Sequence, residues 1–179
     1  MILLLKHLYL QIMKKKSKIL DKEDINQKIN RLAWEIYENN LNEKEIVIIG
    51  VSGRGEILAS KISHTINQIC SLKVKLGTIN LDKVAPSNNE INVNLDLEDY
   101  TNKVVILIDD VLNSGKTLMY SSNFFLSTPL IKLSILVLVN RTHNRFPIKA
   151  DYIGLSLATT LNDYINVVLE GNRQGVYLS

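Results

Sequence analysis

The sequence predicts an α/β fold in three layers, with helices on both faces of a mainly parallel sheet. Three observations carry this. Short apolar, β-branched runs recur at residues 46–51, 76–81, 103–108, 133–139 and 152–155, as expected of strands buried on both faces. Stretches with helical apolar spacing alternate with them. Polar and glycine-rich clusters follow the runs, at the carboxyl ends where such sheets bind ligands.

Taken in order, residues 1–18 read as an N-terminal extension. Residues 1–10 are apolar but too short to span a bilayer, and they lack the basic, apolar, small-residue order of a secretory signal. Met13 followed by Lys14, Lys15 and Lys16 resembles a start, which makes residues 1–12 an upstream arm. Residues 19–179 read as one domain, since no repeat or linker divides them and the length suffices for a core. Asp21 and Asp24 can cap a helix whose apolar positions are Ile25, Ile29, Leu32, Ile36 and Tyr37. Ser52, Gly53, Arg54 and Gly55 break the first strand, and a second helix follows through Leu58, Ile62, Ile66 and Ile69. Residues 82–102 are polar and weakly periodic, and read as a long exposed loop with a strand at 91–95. Loops of that length in compact domains are often lids. The strand at 103–108 ends on Asp109 and Asp110, and a helix runs from about Lys116 to Leu126. The last two strands are 133–139 and 152–155.

The 179 residues carry a formal charge of +3, which suits phosphate-bearing ligands without announcing nucleic acid. Cys70 is the only cysteine, so an intramolecular disulfide is excluded and a reducing, cytoplasmic setting is favoured. His7, His64 and His143 are scattered, with no zinc-type spacing; of the three, His143 lies nearest the chemistry.

That chemistry concentrates in residues 104–118. Two adjacent carboxylates end a strand that is otherwise apolar, and Asn113, Ser114, Gly115, Lys116 and Thr117 turn the chain into a helix. Buried like charges repel, so Asp109 and Asp110 need a cation or ligand hydroxyls beside them. The turn offers backbone N–H groups, hydroxyls and a helix amino terminus, which suit a phosphate. A sugar phosphate would bridge the two. Gly115-Lys116-Thr117 also matches the end of a nucleotide-binding P-loop, but that loop requires glycine where Asp110 stands. A plain helix-capping role explains Asp110 and leaves the rest of the cluster unexplained. Around Arg54, two glycines permit unusual backbone angles and close approach to an anion.

This segment resembles the phosphoribosyl pyrophosphate (PRPP) signature of type I phosphoribosyltransferases: an apolar run, two acids, two apolar residues, then x-Ser-Gly-Lys-Thr. Residues 19–155 further resemble one branch, the bifunctional pyrimidine operon attenuator/uracil phosphoribosyltransferase proteins. The resemblance implies a Mg²⁺-dependent transferase with a flexible lid and a small C-terminal hood. It implies that Asp109 and Asp110 hold the ribose hydroxyls and, through water, the Mg²⁺. Residues 113–117 would take the 5′-phosphate, while Ser52, Gly53, Arg54 and Lys83 would meet the pyrophosphate. Asn140, Arg141 and backbone groups near Ile153 would face the base. A homodimer is implied as well. The alternative on the same scaffold is a nucleotide-sensing RNA-binding regulator, to which Lys132, Arg141, Arg145 and Lys149 would contribute a basic face.

Departures from the pattern concern the base. Asn113 stands where purine-using relatives carry an aspartate, and an amide cannot act as a general base. Asn140 replaces a lysine or aspartate, and residues 155–160 lack the Lys-Asn-x-Pro-Thr pattern of the pyrimidine regulators. The lid lacks a Tyr-Arg pair, for which Lys83 is the nearest substitute. The base, a pyrimidine such as uracil or a purine, stays open at this point.

Overall fold

The computed structural model describes residues 17–87, 90–141, 145–160 and 162–179. The arm, the lysines at 14–16, His7, His143, and Asn88 and Asn89 of the loop lie outside them. In chain order the strands are β1 Ser17–Leu20, β2 Glu45–Val51, β3 Lys73–Asn80, β4 Asn92–Val93, β5 Val104–Leu112, β6 Lys132–Arg141, β7 Tyr152–Leu157, β8 Ile165–Val168 and β9 Gly175–Leu178. The helices are α1 Lys22–Glu38, α2 Arg54–Ile69, α3 Leu97–Tyr100 and α4 Lys116–Leu126.

The main sheet has the order β4-β3-β2-β5-β6-β7, parallel except for β4 at one edge. Its central strands read as continuous apolar runs because helices cover both faces. On one face α1 and α2 pack Leu32, Ile36, Leu58 and Ile62 against Ile46, Ile48, Ile106 and Leu136. On the other, α3 and α4 bring Tyr100 and Phe125 onto Val47, Val105 and Val137. The α/β expectation and the mainly parallel sheet are met. Asp21 and Asp24 form the expected reciprocal cap of α1, each carboxylate accepting the other's backbone N–H at 2.9 and 3.0 Å.

The chain runs from β2 outward to β3 and then returns to place β5 on the other side of β2. Strand order therefore reverses between β2 and β5, and a crevice opens at their carboxyl ends. Both informative clusters lie there, Arg54 just after β2 and Asp109 and Asp110 near the end of β5.

Three features differ from the sequence reading. Ser17 and Lys18, read as the end of the extension, form the first half of β1, which pairs with β9; β8 completes a small antiparallel sheet, β1-β9-β8. This sheet packs on the α1/α2 side through Leu20, Ile165, Val167 and Val176. Residues 82–102 are not one open loop. The strand expected at 91–95 is present as residues 92–93, paired with β3, but α3 was not expected; it turns Tyr100 into the core against Phe125, with ring centroids 5.3 Å apart. Finally β5 continues past the two acids to Leu112, because its ladder with β6 persists to the Leu112–Asn140 pair. Among the described residues no helix is long and apolar enough to cross a membrane.

Candidate functional site

Two adjoining hollows lie at the switch point. The larger, about 430 Å³, is lined by Gly53, Arg54, Lys83, Asp109, Asp110, Val111, Asn113, Arg141, Tyr164 and Ile165. The smaller, about 220 Å³, is lined by Lys83, Asp109 and residues 111–118. Lys83, Asp109, Val111 and Asn113 belong to both, so the two are lobes of one cleft.

The smaller lobe is the turn before α4. The N-caps of α4 and α2 are Gly115 and Gly53, which have no side chain to cap with, although Ser114 Oγ accepts the Lys116 N–H at 3.3 Å, whereas α1 carries a full capping box. Both helices that open on the cleft therefore present N-terminal N–H groups and the positive dipole end to whatever enters. Gly53, at φ 88° and ψ −119°, has a backbone that a side chain would strain although nothing lies within 4 Å of its missing Cβ.

Asp109 is 6% exposed. Burial first, and then the neighbouring Asp110 charge, push its carboxyl up to about 7 from the ordinary 3.8, while Lys83 opposes the shift. Asp109 Oδ1 accepts the Asp110 N–H at 2.9 Å. Asp110 pairs with Arg54 at 3.2 Å, with 42% of the arginine side chain exposed and 13% of the aspartate. Two carboxylates thus share the cleft with Arg54, Arg141 and Lys83, and Arg54 is ion-paired to Asp110. Among the described residues, no group of three or more His, Cys, Asp or Glu side chains gathers to enclose a metal. The pair fits a hard cation that keeps its waters and borrows ligand oxygens, as Mg²⁺ does.

Why the acids can approach α2 so closely is set by Gly55. A Cβ there would lie 2.7 Å from the Ile108 carbonyl and 3.2 Å from Asp109 Oδ1. Gly55→Ala is therefore expected to push the β5 tip away from α2, destabilising the fold by about 1–3 kcal/mol. Thermal melts would show the loss, and unchanged melting would mean that the approach is not rigid.

The exposed loop is held to the turn. Asp82 Oδ1 accepts the N–H groups of Val84 and Ala85, and Lys116 Nζ donates to the Val84 carbonyl at 2.7 Å. This places exposed Lys83 between the lobes. Arg141, 5% exposed, donates to Thr159 Oγ1 (2.9 Å), Asn113 Oδ1 (3.0 Å) and the Thr160 carbonyl (3.0 Å). A guanidinium only donates, so the Asn113 oxygen must face it and the Asn113 NH₂ is left for the cleft.

Not every expected site residue arrives. Ser52 donates its N–H to the Ile79 carbonyl at 3.0 Å, which removes that amide from any diphosphate. Asn140 is not among the described residues that line the cleft, and its buried Oδ1 has no hydrogen-bond partner among the described residues. Ile153 lies on the edge strand β7 opposite Val137, and its carbonyl accepts from Arg31 at 2.6 Å, so it is not offered to a base. The basic face also comes apart. Arg141 is buried, and Lys132, bonded to Asn40, lies at the far end of β6, about 30 Å away at ~3.3 Å per residue. Tyr164 and Ile165 line the cleft but were not read from the sequence; the alternation of Ile165 and Val167 was the available signal for β8.

Residues 15–171 match the phosphoribosyl transferase domain family. The chain is 37% identical over 160 residues to the bifunctional protein PyrR of Staphylococcus epidermidis, covering 85% of this chain and 91% of that protein. A PyrR from Fusobacterium nucleatum is 33% identical over 159 residues, covering 85% and 90%. Among solved structures, hypoxanthine phosphoribosyltransferase from Staphylococcus aureus superposes with TM-score 0.72 at 19% identity, covering 89% and 90% of the two chains. The Trypanosoma cruzi enzyme complexed with IMP gives 0.75 at 16% identity, covering 90% and 89%.

Proposed function

The chain belongs to the phosphoribosyl transferase domain family, and from that premise we propose that it transfers ribose 5-phosphate from PRPP to a nucleobase with release of pyrophosphate. The observation that carries this is the union, in one cleft, of a paired-acid strand end, with Asp109 buried, and a helix turn whose N-cap is a glycine. Residues 113–117 bind the 5′-phosphate through N–H groups and hydroxyls. Asp109 and Asp110 accept hydrogen bonds from the ribose hydroxyls and hold Mg²⁺ through its water. Bound there, the cation supplies charge neutralisation for the diphosphate.

The transferred sugar develops positive charge at C1 as the C1–O bond to pyrophosphate breaks and a base nitrogen takes its place. Positioning and electrostatics therefore outweigh covalent catalysis. Arg54 and Lys83 meet the charge that collects on the departing pyrophosphate. The loop carrying Lys83 acts as a lid that excludes water from the activated sugar, and the β1-β9-β8 sheet acts as the hood over the base. Asn113 cannot accept the base's proton, which is lost to water or to the leaving group. Uracil is the first substrate to test, because the relatives at 33–37% identity are PyrR proteins. The same relatives support a second reading, an RNA-binding regulator that senses nucleotides, acting as a homodimer.

Pyrophosphate release from PRPP and Mg²⁺ with uracil, hypoxanthine, guanine, adenine, xanthine and orotate separates these. Turnover with one base, uracil above all, is the expected result. No release with any base, together with RNA binding that weakens steeply with salt, would select the regulator.

A further inference from the structure

We propose that Lys116 is a positioning residue: its ammonium ties the lid main chain at Val84 to α4 and so seats Lys83 against the departing pyrophosphate. The assignment rests on the transferase reading of the cleft. Lys116 opens α4, in the turn given to the 5′-phosphate. The N–H groups and hydroxyls of that turn suffice for the phosphate, and the Lys116 ammonium is directed elsewhere. It donates to the Val84 carbonyl at 2.7 Å, a residue 32 positions earlier in the chain. A bond from a charged donor is shorter and stronger than one between neutral groups.

Lys83 is the residue this tie governs. Asp82 Oδ1 accepts the Val84 and Ala85 N–H groups at 2.8 and 3.1 Å, partners two and three residues away. Bonds that local fix the shape of the turn from within and leave open where it sits. The Lys116 bond comes from outside the loop. It joins the turn to a helix anchored in the core by Leu118 and Phe125. Lys83 is exposed, lines both lobes and brings its charge to bear on Asp109. Its long side chain reaches the place where a diphosphate departs only while the turn stays over the start of α4. Without the tie, binding would also have to order the loop backbone, at an entropy cost for every residue fixed.

The test is a double-mutant cycle read by calorimetry in Mg²⁺: wild type, Lys83→Met, Lys116→Met and the double variant, each with PRPP and with ribose 5-phosphate. Ribose 5-phosphate keeps the sugar and its phosphate and lacks the diphosphate, so its binding reports the turn and the fold. Each single variant should bind PRPP ~10-fold more weakly, the scale of one charge-assisted bond, and hold ribose 5-phosphate within about twofold. The double variant should be no weaker than Lys83→Met, because Lys116 acts through Lys83. Lys116→Arg keeps a charged donor and should restore most of the PRPP affinity. Losses that multiply in the double variant would overturn the proposal, as would full PRPP affinity in Lys116→Met. Loss of ribose 5-phosphate in Lys116→Met as deep as its loss of PRPP would put the ammonium on the 5′-phosphate itself and overturn it too. Lys116→Arg as weak as Lys116→Met would remove the bond to Val84 as the cause. Full PRPP affinity in Lys83→Met would sink the proposal and leave the PRPP site standing; wild-type protein that binds neither ligand would remove the transferase reading itself.

Discussion

Replacing Asp109 and Asp110 together by asparagine should abolish the heat protection that PRPP and Mg²⁺ give the wild-type protein. The reason is chemical. Both oxygens of each carboxylate accept hydrogen bonds and carry charge, so they can serve ribose hydroxyls and a hydrated cation at once; carboxamides keep the shape and lose the charge. At a PRPP concentration 100 times Kd, binding stabilises the native state by about 2.7 kcal/mol. For a chain of this size that is a rise of about 5–10 °C in Tm. The double variant should show no rise. Transfer activity should fall on the order of 10³-fold, the scale of losing a group aimed at developing charge. The fold should survive, because only the partly exposed Arg54 loses an ion pair, and such pairs are worth about 1 kcal/mol or less. A PRPP-induced shift of wild-type size in this variant would show that the sugar binds elsewhere.

Most of what this prediction needs was legible in the sequence. The strands of the main sheet announce themselves because burial on both faces leaves them almost purely apolar. Asp109 and Asp110 stand out against that background, and so does the turn that follows. What was hidden depends on contacts distant in sequence. Strands β1, β8 and β9 are four residues each, and β1 meets β9 from the opposite end of the chain. Four residues give too few alternations to declare a strand. Tyr164 was missed because its place in the cleft depends on that sheet. Ile153 and Asn140 were misplaced for a related reason: the β6–β7 register and the reach of Arg31 across to the Ile153 carbonyl decide which groups face the crevice, and neither is local. Arg141 was identified, but as a reader of the base. Its burial among Asn113, Thr159 and Thr160 makes it a clasp between the phosphate turn and the loop that leads to the hood.

The same acid pair should make the ligand-free protein less stable as pH rises. Asp109 titrates at about 7 in the folded chain against 3.8 ordinarily. Between those values the folded state holds a proton that the unfolded state has released, so unfolding is favoured by raising pH. The contribution of Asp109 is greatest below about pH 4, falls through the window up to about pH 7 and is flat above it. A shift of roughly three units corresponds to about 4 kcal/mol, or a drop of about 10 °C in Tm. Asp109→Asn removes the titration but keeps an oxygen to accept the Asp110 N–H. Without metal, the variant should match wild type below about pH 4 and melt several degrees higher at pH 8. Subtracting the two pH profiles cancels every titration they share. Mg²⁺ with PRPP should reverse the ranking at pH 8, since a cation beside the pair stabilises the ionised form that burial penalises. If the difference profile is flat from pH 4 to 8, Asp109 is ionised in the empty cleft. The two carboxylates would then be tolerated without a cation, and the main electrostatic argument for placing one there would be lost.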